Sequence, residues 1–181
     1  MKDIFNRIYN ILFIRSYEQK RRYLISKGAR IGENTEIIGN VYNFGSEPYL
    51  IEVGKNCLIS SNVSFMTHDG GINVLNNLNY FEERMDKLAP IKVGDNVFIG
   101  ARAVIMPGVT IGNNCIIGLG SIVTKDVEDN SVVCGIPAKK IKTIDEYYEG
   151  VKDKIYPTYG LSSSQKREFC NTHNICFKEK E

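Results

Sequence analysis

From Val93 onward an aliphatic residue returns every six positions, at Val93, Ile99, Ile105, Ile111, Ile117 and Val123. Four places after each stands a small or β-branched residue: Val97, Ala103, Val109, Cys115, Ser121 and Val127. Glycine follows the aliphatic residue at Gly94, Gly100, Gly112 and Gly118, and the same phase is present earlier at Ile31, Ile37, Val53, Ile59 and Phe65. A period of six matches neither the 3.6 of a helix nor the two of a simple strand. It fits a short strand and a sharp corner, repeated. The aliphatic residue points inward, the small one fills the corner, and Gly or Asn takes the strained turn. Asn56, Asn62, Asn96, Asn114 and the pairs Asp95-Asn96 and Asn113-Asn114 supply that turn chemistry. Three hexapeptides make one triangular coil, and stacked coils share a core that no single coil buries alone. The expected fold class is mainly β, a parallel β-helix over residues 28–141.

Composition narrows the function classes. The chain has 181 residues, with 23 Lys plus Arg against 21 Asp plus Glu, a net charge of +2. A dedicated nucleic-acid binder would carry a concentrated basic excess. Charged residues at 24% and hydrophobic ones at 43% are those of a soluble globular protein. No apolar run approaches the roughly 18 residues of a membrane span. The best run, Ile8 to Ile14, contains Asn10 and lacks a small-residue cleavage site, so it does not read as a signal peptide. Five cysteines, at 57, 115, 134, 170 and 176, form an odd set without a CxxC pair. That set points to reduced thiols and a cytoplasmic location. His68 and His173 are the only histidines, which excludes a three-histidine zinc site within one chain, including that of a β-helical carbonic anhydrase. No metal is expected.

Four stretches carry a family resemblance: VGDNVFIGA at 93–101, IMPGVTIG at 105–112, IGLGSIVT at 117–124 and GIPA at 135–138. They resemble the hexapeptide-repeat acyltransferases, among them galactoside, maltose and xenobiotic acetyltransferases and the sugar O-acetyltransferases of surface-polysaccharide clusters. The resemblance spans about residues 29–141. It implies a left-handed β-helix, acetyl-CoA as donor, and a homotrimer whose active sites lie between neighbours.

Outside the repeat, residues 1–27 read as a helix, with Ile4, Ile8, Ile11, Leu12 and Leu24 near one face and Gly28 as its stop. The cluster Lys20-Arg21-Arg22 suits either an anionic membrane surface or a helix capping the first coil or a neighbour. It is too short for firm lipid anchoring, which favours the cap and at most peripheral membrane contact. The six-residue register breaks at 43–51 and again at 69–90. Long insertions in repeat proteins gather on one face and often bind. Tyr80-Phe81-Glu82-Glu83-Arg84 reads as an arm crossing to another subunit. After Val133 the pattern stops, with Gly135-Ile136-Pro137 as the exit. Residues 142–181 read as short helical pieces broken at Pro157 and Gly160, with Ser162-Ser163-Ser164 as a cap, placed to cover the open end of the coil. His173 reads as a solvated or packing residue.

His68 stands where the coil gives way to the long loop. Acyl transfer to a hydroxyl needs a base, and imidazole titrates in the right range to take the proton and return it to the departing thiolate. In the resembling family a histidine at this point is the general base. Asp69 is a candidate for orienting the ring. No Ser or Cys nucleophile is required, and the β-helix cysteines (Cys57, Cys115, Cys134) read as inward-packed and inert, so direct attack in a ternary complex is expected. Exposed amides of stacked coils suit the pantetheine arm. By similarity its contacts fall at Ala101, Leu119 and Thr124, with Ala101 and Leu119 one coil apart and stacked. The amide near Gly100-Ala101 is the candidate oxyanion donor. Lys139 and Lys142 stand where the family has arginines that meet the phosphates, the alternative being a solvated basic exit strand. No Gly-rich loop opens a βα unit, which excludes a Rossmann donor site.

The leading expectation is an acetyl-CoA-dependent O-acetyltransferase acting on a sugar hydroxyl, in surface-polysaccharide synthesis. An amino-sugar nucleotide N-acetyltransferase comes next, then an antibiotic or serine acetyltransferase. A non-catalytic β-helical scaffold would not need His68 beside a long loop.

Overall fold

A computed structural model describes residues 16–175. Of the helix expected over 1–27, the positions Ile4, Ile8, Ile11 and Leu12 lie outside the described residues, as does Cys176. The chain divides into two compact units, one running to Tyr147 and the other from Tyr148.

In the first unit the inward residues of the period build three parallel sheets. The first face stacks β1 (Arg30–Ile31), β3 (Ile51–Val53), β6 (Ile91–Val93) and β9 (Thr110–Ile111). The second stacks β2 (Glu36–Ile37), β4 (Leu58–Ile59), β7 (Phe98–Ile99), β10 (Ile116–Ile117) and β12 (Ser131–Gly135), closed by the antiparallel β13 (Ala138–Thr143). The third stacks β5 (Ser64–Phe65), β8 (Val104–Ile105) and β11 (Ile122–Val123). Consecutive strands step from face to face, so each strand pairs in register with the one a full coil earlier: Val93 with Ile111, Ile99 with Ile117, Ile105 with Val123. All the repeat aliphatics, from Ile31 to Val123, are buried, and so are the six small residues from Val97 to Val127. Core and repeat are the same residues.

Corner chemistry divides between two residue types. Asn56, Asn62, Asn96 and Asn114 adopt φ between 53 and 56°, the left-handed region that Asn tolerates better than most side chains. At the first-to-second corner their amides form ladders, Asn34 to Asn56 and Asn96 to Asn114 to Asn130. Among the glycines, Gly108 and Gly120 take that turn, at φ of 84 and 66°, but those directly after the aliphatic residues do not. Gly100 is there for clearance: a Cβ would sit 2.6 Å from the Leu119 backbone nitrogen of the next coil.

Below the first coil lies α1 (Tyr17–Ser26), opened by a Ser16–Gln19 capping box. It buries Leu24 completely. Lys20 Nζ donates to the carbonyls of Ile37 and Ile38, and Arg21 Nε to those of Ile31 and Gly32. The basic cluster is thus spent largely on the open carbonyls of the first coil, with Arg22 paired to Glu18, and a bare sheet edge is covered. Both breaks in the register fall at the third-to-first corner. The first folds into 3₁₀ turns at Val41–Phe44 and Pro48–Leu50. The second carries α2 (Ile72–Asn77) and is clamped at its base by Asp69 N–H to Lys87 O, Ala89 N–H to Thr67 O and a His68–Leu88 bridge. β13 runs to Thr143, so helix begins only with α3 (Ile144–Val151).

In the second unit, α4 (Ser163–Thr172) starts at Ser162, again with a capping box. His173 stacks on Phe169 with ring centroids 3.9 Å apart and bonds its carbonyl, a packing residue. No helix among the described residues is long and apolar enough to cross a membrane.

Candidate active site

His68 follows β5 at the third-to-first corner, and its side chain is 43% exposed. Two features fix the ring there. Thr67 is fully buried and anchors the backbone through Ala89. Directly beneath, the first interruption occupies the same corner one coil earlier, where Phe44 stacks on Phe65 with centroids 4.6 Å apart. That stacking brings Glu47 to His68: Glu47 Oε2 lies 3.0 Å from His68 Nδ1 and accepts the Thr67 hydroxyl at 2.6 Å. The Thr67 hydroxyl, and after it His68, hold the Glu47 carboxyl down at about 2, against the opposing effect of burial. Asp69 does not orient the ring. Its carboxylate accepts the Gly71 amide and the Lys87 ammonium, and those two bonds lower its pKa.

Glu47 is the residue that sequence reasoning missed. A signal was present, because Ile31 pairs with Val53, 22 positions on rather than 18. The four surplus residues have to leave the coil at one corner, and that corner is the one His68 occupies.

The expected donor residues do not converge within one chain. Gly100, Ala101 and Leu119 share the second-to-third edge, where the Gly120 amide donates to Ala101 O at 2.8 Å and Leu119 projects 80% exposed. Ala101 and Leu119 therefore stack, as their spacing predicts. Thr124 follows β11 and lies on the His68 edge, two coils further along. Lys139 and Lys142 are on β13, beside the second face. A prism has three edges, so His68 and the Ala101–Leu119 edge of the same chain stand at different corners.

The cysteines need one correction. Cys57 and Cys115 are buried, with thiols pushed above their usual range by desolvation. Cys134 is exposed, because β12 is the last strand in phase and its outer end turns into the exit hairpin. Among the described residues no group of three or more His, Cys, Asp or Glu is placed to hold a metal ion.

Residues 90–125 match the family described as hexapeptide repeat of succinyl-transferase. The chain is 43% identical over 141 residues to protein CapG of Staphylococcus aureus, covering 77% of this chain and 80% of CapG. It is 40% identical over 129 residues to galactoside O-acetyltransferase of Escherichia coli K12, covering 69% of this chain but 59% of that enzyme. A solved galactoside acetyltransferase in complex with coenzyme A superposes with a TM-score of 0.52 at 28% identity, over 81% of this chain and 78% of the other.

Proposed function

The chain belongs to the hexapeptide-repeat acetyltransferases, and we propose that it moves the acetyl group of acetyl-CoA onto a sugar hydroxyl in the building of a surface polysaccharide. It is an acetyltransferase with acetyl-CoA as donor; the acceptor, the base and the assembly are the proposal. The resemblance read from the sequence further implies a left-handed winding. Acetyl-CoA and the reduced thiols fit a cytoplasmic setting.

One observation carries the chemical part. His68 is the histidine of the coil, half-exposed at a corner, with Nδ1 engaged by a carboxylate. In the proposed reaction its other nitrogen, Nε2, takes the proton of the acceptor hydroxyl as that oxygen attacks the acetyl carbonyl. An amide near Gly100-Ala101 receives the developing oxyanion. The carbon–sulfur bond then breaks, and the imidazolium returns the proton to the coenzyme A thiolate. The products are the O-acetyl sugar and free coenzyme A. Ala101, Leu119 and Thr124 line the pantetheine groove, and Lys139 and Lys142 meet the phosphates.

Because His68 and the Ala101–Leu119 edge occupy different corners, the proposed site joins two chains of a homotrimer. The outward residues support a packing direction. Arg30, Glu52 and Lys92 pair with one another along the first face. Leu58, Phe98 and Ile116 line the second, and Val104 and Ile122 lie along the third. The two apolar faces flank the Ala101–Leu119 edge and would be the ones covered.

The test is release of free thiol from acetyl-CoA across a panel of hexoses, uronic acids, amino sugars and nucleotide sugars. Turnover with hydroxyl acceptors and an O-acetyl product supports the reading. Turnover confined to amino groups replaces it with an N-acetyltransferase.

A further inference from the structure

We infer that Glu47 is the positioning residue of the base: its carboxylate, locked by the Thr67 hydroxyl, holds His68 in the tautomer with its proton on Nδ1 and Nε2 open to the acceptor. This rests on the reading of His68 as the base.

A neutral imidazole has one donor and one acceptor nitrogen, and which is which follows from the partner it meets. The partner here is a carboxylate kept ionised throughout the neutral range, and an ionised carboxylate only accepts. The 3.0 Å contact therefore requires Nδ1 to donate. The lone pair is left on Nε2, where a proton can be received. When Nε2 gains that proton in the reaction, the imidazolium forms beside a fixed negative charge, which favours its formation.

The carboxylate is itself immobilised. Thr67 is adjacent to His68 in sequence and fully buried, and its hydroxyl donates to the same oxygen, Glu47 Oε2, at 2.6 Å. Swinging Glu47 away would strand a buried hydroxyl without an acceptor. The coil supplies the alignment: Glu47 and His68 leave the same corner in successive turns, 21 positions apart, and the Phe44–Phe65 stack sets their height. The other nearby carboxylate, Asp69, is committed to Gly71 and Lys87.

The decisive measurement is nitrogen-15 NMR of the histidine rings in the full-length protein at a pH where they are neutral. The chain has two histidines, so a His173→Gln variant assigns His68. The wild-type ring is expected to be the Nδ1–H tautomer, and a predominant Nε2–H form overturns the inference whatever the activity. Glu47→Leu, which can accept from neither Nδ1 nor Thr67, is expected to lose that tautomer, whereas Glu47→Gln keeps an acceptor oxygen at the shared point and removes only the charge beside the imidazolium. With acetyl-CoA and the fastest acceptor of the panel, its kcat is expected to fall by roughly 10–10³-fold, with KM for acetyl-CoA within about twofold. An unchanged kcat in Glu47→Gln together with an unchanged tautomer in Glu47→Leu overturns the inference while leaving the base intact. Full activity in His68→Ala removes the base reading itself, so the two failures are distinguishable. If Glu47→Gln does not fold, the wild-type spectrum still decides.

Discussion

At the scale of single residues, His68 and Glu47 make separable predictions. His68→Ala is expected to lower acetyl transfer by on the order of 10²–10⁴-fold in the thiol-release assay. A loss under threefold would remove His68 from the chemistry. Glu47 also leaves a mark on stability. Its carboxyl sits at about 2 in the fold against 4.5 as the ordinary value, so the ionised form stabilises the native state. That contribution is complete above pH 4.5, shrinks as pH falls below it, and is gone near pH 2. Wild type is therefore expected to exceed Glu47→Gln by on the order of 1–2 kcal/mol at pH 6, allowing for solvent at the carboxylate. The gap should narrow steadily toward pH 3, as read by urea unfolding at each pH. A constant or widening gap would contradict the assignment of the low carboxyl.

At the scale of elements, the coil works by stacking identical corners. Asn114 combines a φ of 53° with hydrogen bonds to Asn96 and Asn130. Asn114→Ala meets both the backbone penalty of about 1–2 kcal/mol and the lost ladder. Asn114→Gly keeps the backbone conformation and loses only the ladder. Thermal melts are expected to rank wild type above Gly and Gly above Ala; Ala equal to Gly would mean that the corner does not depend on the left-handed turn. Each inward aliphatic residue touches the coils above and below. Ile117→Ala, from a fully buried position, is expected to cost about 2–5 kcal/mol. The outward change Lys92→Ala, on the charged first face, should cost much less, a contrast that checks the inward assignment directly.

At the scale of the whole molecule, the proposed site is complete only between copies. Sedimentation is expected to give three chains of 20.4 kDa each, and a fully active monomer would contradict the assembly. Mixing offers a sharper check. His68→Ala lacks the base and Ala101→Trp blocks the groove edge, so each alone should be inactive. Mixed trimers re-formed from the two contain junctions where an intact His68 faces an intact Ala101 edge, and part of the activity should return. If mixing restores nothing while each variant still assembles, base and groove do not come from different chains.

The coil was legible in the sequence because its determinant is local and repeated. One inward aliphatic residue every six positions specifies a strand, a corner and the neighbour it stacks on, and no long-range information is needed to find the core. His68, at the point where that period breaks, was legible for the same reason. Three matters were decided only in three dimensions. The glycines after the aliphatic residues answer to the backbone of the next coil, a contact invisible along the chain. The basic cluster at 20–22 found the open carbonyls of the first coil. Glu47 reached His68 because four surplus residues in one turn leave the coil at the corner where the next turn ends. A periodic pattern states its own rule from residue to residue; a contact made by a departure from the period depends on where the surplus chain is folded away, and that is settled only when the coils stack.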